Sequence, residues 1–95
     1  MGTNGDDSHV LKDEDVYFSR GHDCFNKGLY DEAIENFTKA IQINPRPSGF
    51  TYYSRGMVYA KKRLSDLCLS DVKKAADLGY EPARRILKKH FNIDY

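Results

Sequence analysis

Ninety-five residues suffice for a single domain. At 40% apolar and 31% charged residues the composition is that of a soluble globular chain. The longest uncharged run, residues 47–54, falls far short of the roughly 20 apolar residues that a membrane-spanning helix needs.

Net charge is +1, but residues 1–35 carry nine acids against three bases and the remainder five against twelve. A chain so dipolar argues against wholesale nucleic-acid binding and leaves a local basic site open near the C-terminus. In chain order, the residues from Met1 to His9 are polar and acidic, and a flexible acidic tail is expected over 1–12. They show neither the positive n-region nor the apolar h-region of a secretory signal, so a cytoplasmic chain is expected. Val16, Tyr17, Gly21, Cys24 and Phe25 then recur at helical spacing up to Gly28, a natural left-handed stop. A second helix starts near Tyr30, with Asp31 and Glu32 in its first turn, and carries Ala33, Ile34, Phe37, Ala40 and Ile41 on one stripe before Pro45 closes it. After the linker Arg46-Pro47-Ser48-Gly49, a third helix holds Tyr52, Gly56, Tyr59 and Ala60 and breaks near Arg63-Leu64-Ser65. The fourth places Cys68, Leu69, Val72, Ala75 and Ala76 on one side and stops at Gly79. Glu81-Pro82 opens a fifth, with Ala83, Ile86, Leu87 and Phe91 opposite Arg84, Arg85, Lys88 and Lys89.

Shifted by 35 residues the chain overlies itself. Tyr17-Phe18-Ser19-Arg20-Gly21 meets Tyr52-Tyr53-Ser54-Arg55-Gly56, and Lys27, Leu29, Asp31, Lys39 and Ala40 meet their equals at Lys62, Leu64, Asp66, Lys74 and Ala75. A period of this length marks stacked supersecondary units, here two helical hairpins and an unpaired fifth helix. Gly21 and Ala33 are twelve apart, as are Gly56 and Cys68, so small residues are expected where the helices of each hairpin approach most closely. Ala40 and Ala75 are expected where one hairpin meets the next, with Tyr17, Phe37, Tyr52 and Tyr59 filling the space between.

These residues resemble the tetratricopeptide repeat, whose pattern over about 34 residues is aromatic-x₂-Leu-Gly-x₂-Tyr, Ala-x₃-Phe and a closing Pro. The first unit reads Tyr17-x₂-Arg20-Gly21-x₂-Cys24, Ala33-x₃-Phe37, Ala40 and Pro45; the second reads Tyr52-x₂-Arg55-Gly56-x₂-Tyr59, Cys68-x₃-Val72 and Ala75. The second departs at Ser65, where an aromatic is usual, and at Gly79-Tyr80, in place of the closing Asn-Pro. The resemblance implies an all-α superhelix: a tail over 1–12, repeats over about 14–47 and 48–80, a capping helix over about 81–91, and a short tail over 92–95. It also implies a groove lined by the first helix of each repeat. On spacing from Gly21 and Gly56 its residues are Asp15, Phe18, Ser19, His22, Phe25 and Asn26, then Phe50, Tyr53, Ser54, Met57, Ala60 and Lys61. Arg84, Arg85, Lys88 or Lys89 add a basic wall at one end, depending on the rotation of the last helix. One subclass of the family clamps a peptide carboxylate with Lys and Asn. Here Phe18, His22 and Ser54 stand at the corresponding positions, so a receptor for chaperone tails is not expected.

No constellation for catalysis stands out. His9, His22 and His90 are scattered, no Cys/His spacing suits a metal, and no glycine loop precedes a Lys-Ser/Thr pair. Cys24 and Cys68 read as small core residues, and the Asn36-Phe37-Thr38 triplet lies mid-helix. The expected function is therefore a non-catalytic module that binds a protein or peptide in its groove, without cofactor, metal or membrane contact. Two alternatives stay open: a nucleic-acid accessory protein working through the basic C-terminal helix, and a self-assembling structural module. Two repeats lie near the lower limit for burying a continuous core, so modest stability or weak self-association is expected.

Overall fold

A computed structural model describes residues 3–44 and 48–94, and side chains from residue 13 onward. Five α-helices follow one another: α1 (Thr3–Asn26), α2 (Tyr30–Ile43), α3 (Gly49–Lys61), α4 (Ser65–Asp77) and α5 (Glu81–Phe91). There is no strand among the described residues. The hairpins α1–α2 and α3–α4 pack internally, α2 joins one to the other, and α5 packs on α4. Pro45, the expected closure of the first repeat, and Arg46 and Pro47 of the linker lie outside the described residues. The helix α1 begins at Thr3, so the backbone of 3–12, the expected tail, is helical. No proline interrupts that stretch, and residues joined to an already formed helix continue its hydrogen-bond ladder without a new nucleation step.

Three of the helices end in the same way. The Leu29 and Gly28 amides donate to the Cys24 and Phe25 carbonyls at 2.8 and 3.0 Å, with Gly28 at φ +79°. The Leu64 and Arg63 amides do so to Tyr59 and Ala60, and those of Tyr80 and Gly79 to Ala75 and Ala76. This is the Schellman closure, which needs a left-handed residue at its second-last position. Arg63 takes that position at φ +61° without being glycine.

The close approaches differ in partner from those expected at Gly21 and include the expected one at Gly56. A Cβ on Gly21 would lie 2.7 Å from the Phe37 ring, so Phe37 rather than Ala33 occupies the space the glycine leaves. At Gly56 the corresponding neighbours are the Asp71 Cβ at 3.2 Å, Val72 at 3.3 Å and the carbonyl oxygen of Cys68, the expected partner, at 3.4 Å. Gly49 is tighter still, facing the Ala75 carbonyl oxygen and the Tyr80 Cβ at 2.7 Å each. Two apolar clusters result. Ala33, Phe37 and Val58 form one, and Cys68, Val72, Ala75, Ala76, Ala83 and Leu87 form the other. Ile93 packs against the second cluster beyond α5, so the C-terminal tail is partly docked.

Within the second repeat, an ion pair with a buried carboxylate joins α3 to α4 and reaches α2 of the first. Arg55 Nε and Nη2 donate to Asp71 Oδ2 and Oδ1, both at 2.8 Å, and Nη1 donates to Thr38 Oγ1 on α2 at 3.1 Å. The Tyr52 and Tyr59 rings flank the guanidinium at 5.8 and 5.7 Å. The Asp71 hydrogen bonds hold the Arg55 pKa above its ordinary value despite burial. Lys62 and Asp31 form a second, exposed pair between α3 and α2.

Two stability predictions follow from these features. Asp71→Ala strands a guanidinium whose side chain is only 17% exposed, and should cost about 3 kcal/mol in a denaturant melt. Arg55→Met combined with Asp71→Leu should recover most of that loss. At the helix ends, Gly28→Ala should cost about 1 kcal/mol, whereas Arg63→Gly should gain a few tenths. Thermal melts would separate the two by several degrees in a chain of this size, and equal shifts would refute the shared closure.

Candidate functional site

The face shared by α1 and α3 carries a line of aromatic rings. Phe18 meets His22 edge-on at 4.6 Å, Phe37 at 5.7 Å and Phe50 at 5.5 Å. His22 lies 5.1 Å from Phe37 and 5.6 Å from Phe50. The line continues from Phe50 to Tyr80 at 5.6 Å and from Tyr80 to Tyr53 at 5.1 Å. Rings at these separations gain both buried area and favourable quadrupole contacts. Phe50 nevertheless remains 39% exposed.

Beside this line is a cavity of about 190 Å³ lined by His22, Phe25, Asn26, Phe37, Phe50, Tyr53, Ser54 and Met57. The structure thus gathers seven of the expected groove residues around one hollow and adds Phe37 as its floor. Phe18 sits behind them in the ring line and does not line the hollow, and neither do Ser19 and Lys61, both exposed. A second hollow of about 260 Å³ lies between α3, α4 and α5, lined by Met57, Ala60, Cys68, Ile86, His90 and Phe91.

The expected basic end wall is displaced from both. Arg84, Arg85 and Lys88 border a separate depression together with Glu81 and Asp94. Arg84 pairs with Glu81 at 3.2 Å and Lys88 with Asp94 at 3.6 Å, while Lys89 is exposed nearby. The reason is rotational: Ala83 and Leu87 are fully buried, which turns Ile86 and His90 toward the second hollow and the cations away from it.

His22 Nε2 lies 3.4 Å from Ser54 Oγ. Desolvation lowers its pKa, against a smaller upward pull from Asp23, so the neutral ring is favoured. Burial, with Tyr80 and Cys68 adding to it, raises the Tyr53 pKa, and burial raises that of the Cys68 thiol, with Asp71 contributing. A thiol shifted in this direction is a poor nucleophile. Among the described residues no group of three or more His, Cys, Asp or Glu could hold a metal ion. No described helix is long and apolar enough to cross a membrane.

Residues 14–47 match the family described as tetratricopeptide repeat. The chain is similar to two proteins named TPR repeat-containing thioredoxin TDX. That of Oryza sativa subsp. japonica is 33% identical over 70% of this chain, and that of Arabidopsis thaliana 30% identical over 70%. It is also similar to Heat shock protein STI1 of Saccharomyces cerevisiae, 40% identical over 55% of this chain. The chain spans 22%, 17% and 9% of the length of these three relatives. No solved structure matches it. With its repeat match, five-helix order and internal period, the chain carries a tetratricopeptide repeat and is an all-α helical repeat of that type.

The neutral His22 ring makes stability depend on pH. A folded-state pKa below the ordinary 6.5 means that the unfolded chain binds the extra proton first. The contribution is therefore complete above about pH 6.5 and is lost as pH falls through that value toward the folded-state pKa. Melting temperatures taken from pH 7.5 to 5 should fall more steeply for the unaltered chain than for His22→Phe; parallel curves would show an imidazole that is as well solvated folded as unfolded.

Proposed function

We propose that this chain is a non-catalytic protein–protein interaction module that holds a peptide or a partner helix in the groove between α1 and α3. The observation that carries the reading is the apolar hollow beside Phe50, bordered by side chains from three helices and open to solvent on the repeat's shared face. Burying apolar ligand atoms there would yield about 25 cal/mol per Å². Asn26 and Ser54 supply polar points at its rim that could orient a peptide backbone. The membership of tetratricopeptide repeats in interaction modules supports the same reading, as does the raised thiol pKa at Cys68, which speaks against nucleophilic chemistry. Two free cysteines suit a reducing, cytoplasmic setting.

A nucleic-acid role through α5 has less support, because Arg84 and Lys88 already hold acidic partners. The two readings separate cleanly. Phe50→Asp places a charge on a partly exposed groove residue and should abolish capture of a peptide or protein partner. Loss of its ring contacts with Phe18, His22 and Tyr80 lowers the melt, and a retained helical circular dichroism spectrum shows that the variant is still folded. Replacing Arg84 and Arg85 by Ser should leave that capture intact. Nucleic-acid binding would show the reverse pattern and a fall of orders of magnitude on moving to high salt.

A further inference from the structure

We propose that the groove selects an uncharged segment carrying two apolar anchor side chains, one seated on each side of Met57. The inference rests on the groove reading above and adds the chemistry of its occupant.

Met57 lines both hollows, so they are neighbouring compartments with a common wall. An apolar cavity of about 150 Å³ is enough to hold a benzene ring. At about 190 and 260 Å³, each compartment has room for a large apolar side chain. A methionine wall is unbranched and polarizable, and adapts to either aliphatic or aromatic anchors.

The charges decide what the occupant cannot be. Neither lining contains Lys, Arg, Asp or Glu, and the second has one imidazole, that of the solvent-exposed His90. The cations of α5 border their own depression, where Glu81 and Asp94 engage two of them. A peptide carboxylate or acidic side chain placed in either compartment would lose its hydration without gaining a counter-ion, a loss that exceeds any contact it makes. His22 is the one titratable nitrogen at the first compartment, and what faces it is Ser54 and Phe50 from α3, Phe37 from α2, and Phe18 and Asp23 from α1. Burial disfavours its protonated form, so it is a poor source of positive charge. The surface complements a neutral, apolar stretch of chain, and the two compartments ask for two anchors.

The test uses the intact chain and a library of random twelve-residue peptides displayed on phage. Peptides recovered at pH 7.5 should share two apolar residues at a constant spacing. Synthesised with a free or an amidated C-terminus they should bind equally, and affinity should change by less than about twofold between low and high salt. Ala60 is exposed at the edge of the second compartment, so Ala60→Trp fills that compartment from outside and should leave the melt unchanged. It should weaken two-anchor peptides about tenfold or more, and have no effect on the same peptides once the second anchor is alanine. Recovery of single-anchor peptides indifferent to Ala60→Trp would overturn the inference while leaving the groove reading intact, as would a requirement for a free carboxylate. Peptides that bind Phe50→Asp as well as the unaltered chain would overturn both.

Discussion

Arg55 reaches three helices at once. Its two-pronged bond to Asp71 ties α3 to α4, its third nitrogen touches Thr38 on α2, and its flat face lies against Tyr52 and Tyr59. A charge taken this far from water is tolerated only when every donor finds its place. No buried side-chain polar atom among the described residues lacks a partner. The relative rotation of α2, α3 and α4 is therefore confined to what this contact permits. The groove inherits that precision, since Phe50, Tyr53, Ser54 and Met57 ride on α3 and Phe37 on α2.

The two repeats solve the same packing problem with unequal residues. Asn36 stands where the second repeat has Asp71, and Arg20, the counterpart of Arg55, is exposed beside Tyr17 at 5.7 Å. Asn36 Nδ2 donates instead to the Glu32 carbonyl on its own helix, 2.9 Å away, and to the Cys24 sulfur on α1 at 3.9 Å. The ionic link thus belongs to the repeat that has neighbours on both sides. Similarly, Gly28 and Arg63 hold the same left-handed turn, one freely and the other against its side chain. Such differences let a period of 35 survive in the backbone while the chemistry at equivalent positions diverges.

Much of this was legible in the residues alone. The shifted match of Tyr17–Gly21 with Tyr52–Gly56 revealed the paired hairpins, because close helix packing tolerates few substitutions there. The start of α1 was not legible: a polar helical turn leaves no apolar periodicity to read, and acidic composition alone resembles a tail. In the groove, spacing from the two glycines found the residues of α1 and α3 that ring the first hollow, since both helices share a rotation. It missed Phe37, which enters from the packed side of α2, and the hollow formed by Ile86, His90 and Phe91. The rotation of α5 is set by Ala83 and Leu87, and only their depth of burial decides which flank its cations take. The Arg55–Asp71 pair had a signal, a carboxylate at the edge of the apolar stripe Cys68, Val72, Ala75, Ala76.

Val58 carries a consequence for how the molecule comes apart. It belongs to the second repeat by position, yet it is fully buried together with Ala33 and Phe37 of the first. The leading hairpin thus borrows one of the three walls of its interior from the hairpin that follows it. Detached, it would open that interior to water, so neighbour coupling outweighs the stability of the individual unit. A single cooperative transition for the two hairpins, with a common level of hydrogen-exchange protection in α2 and α3, is the expected consequence.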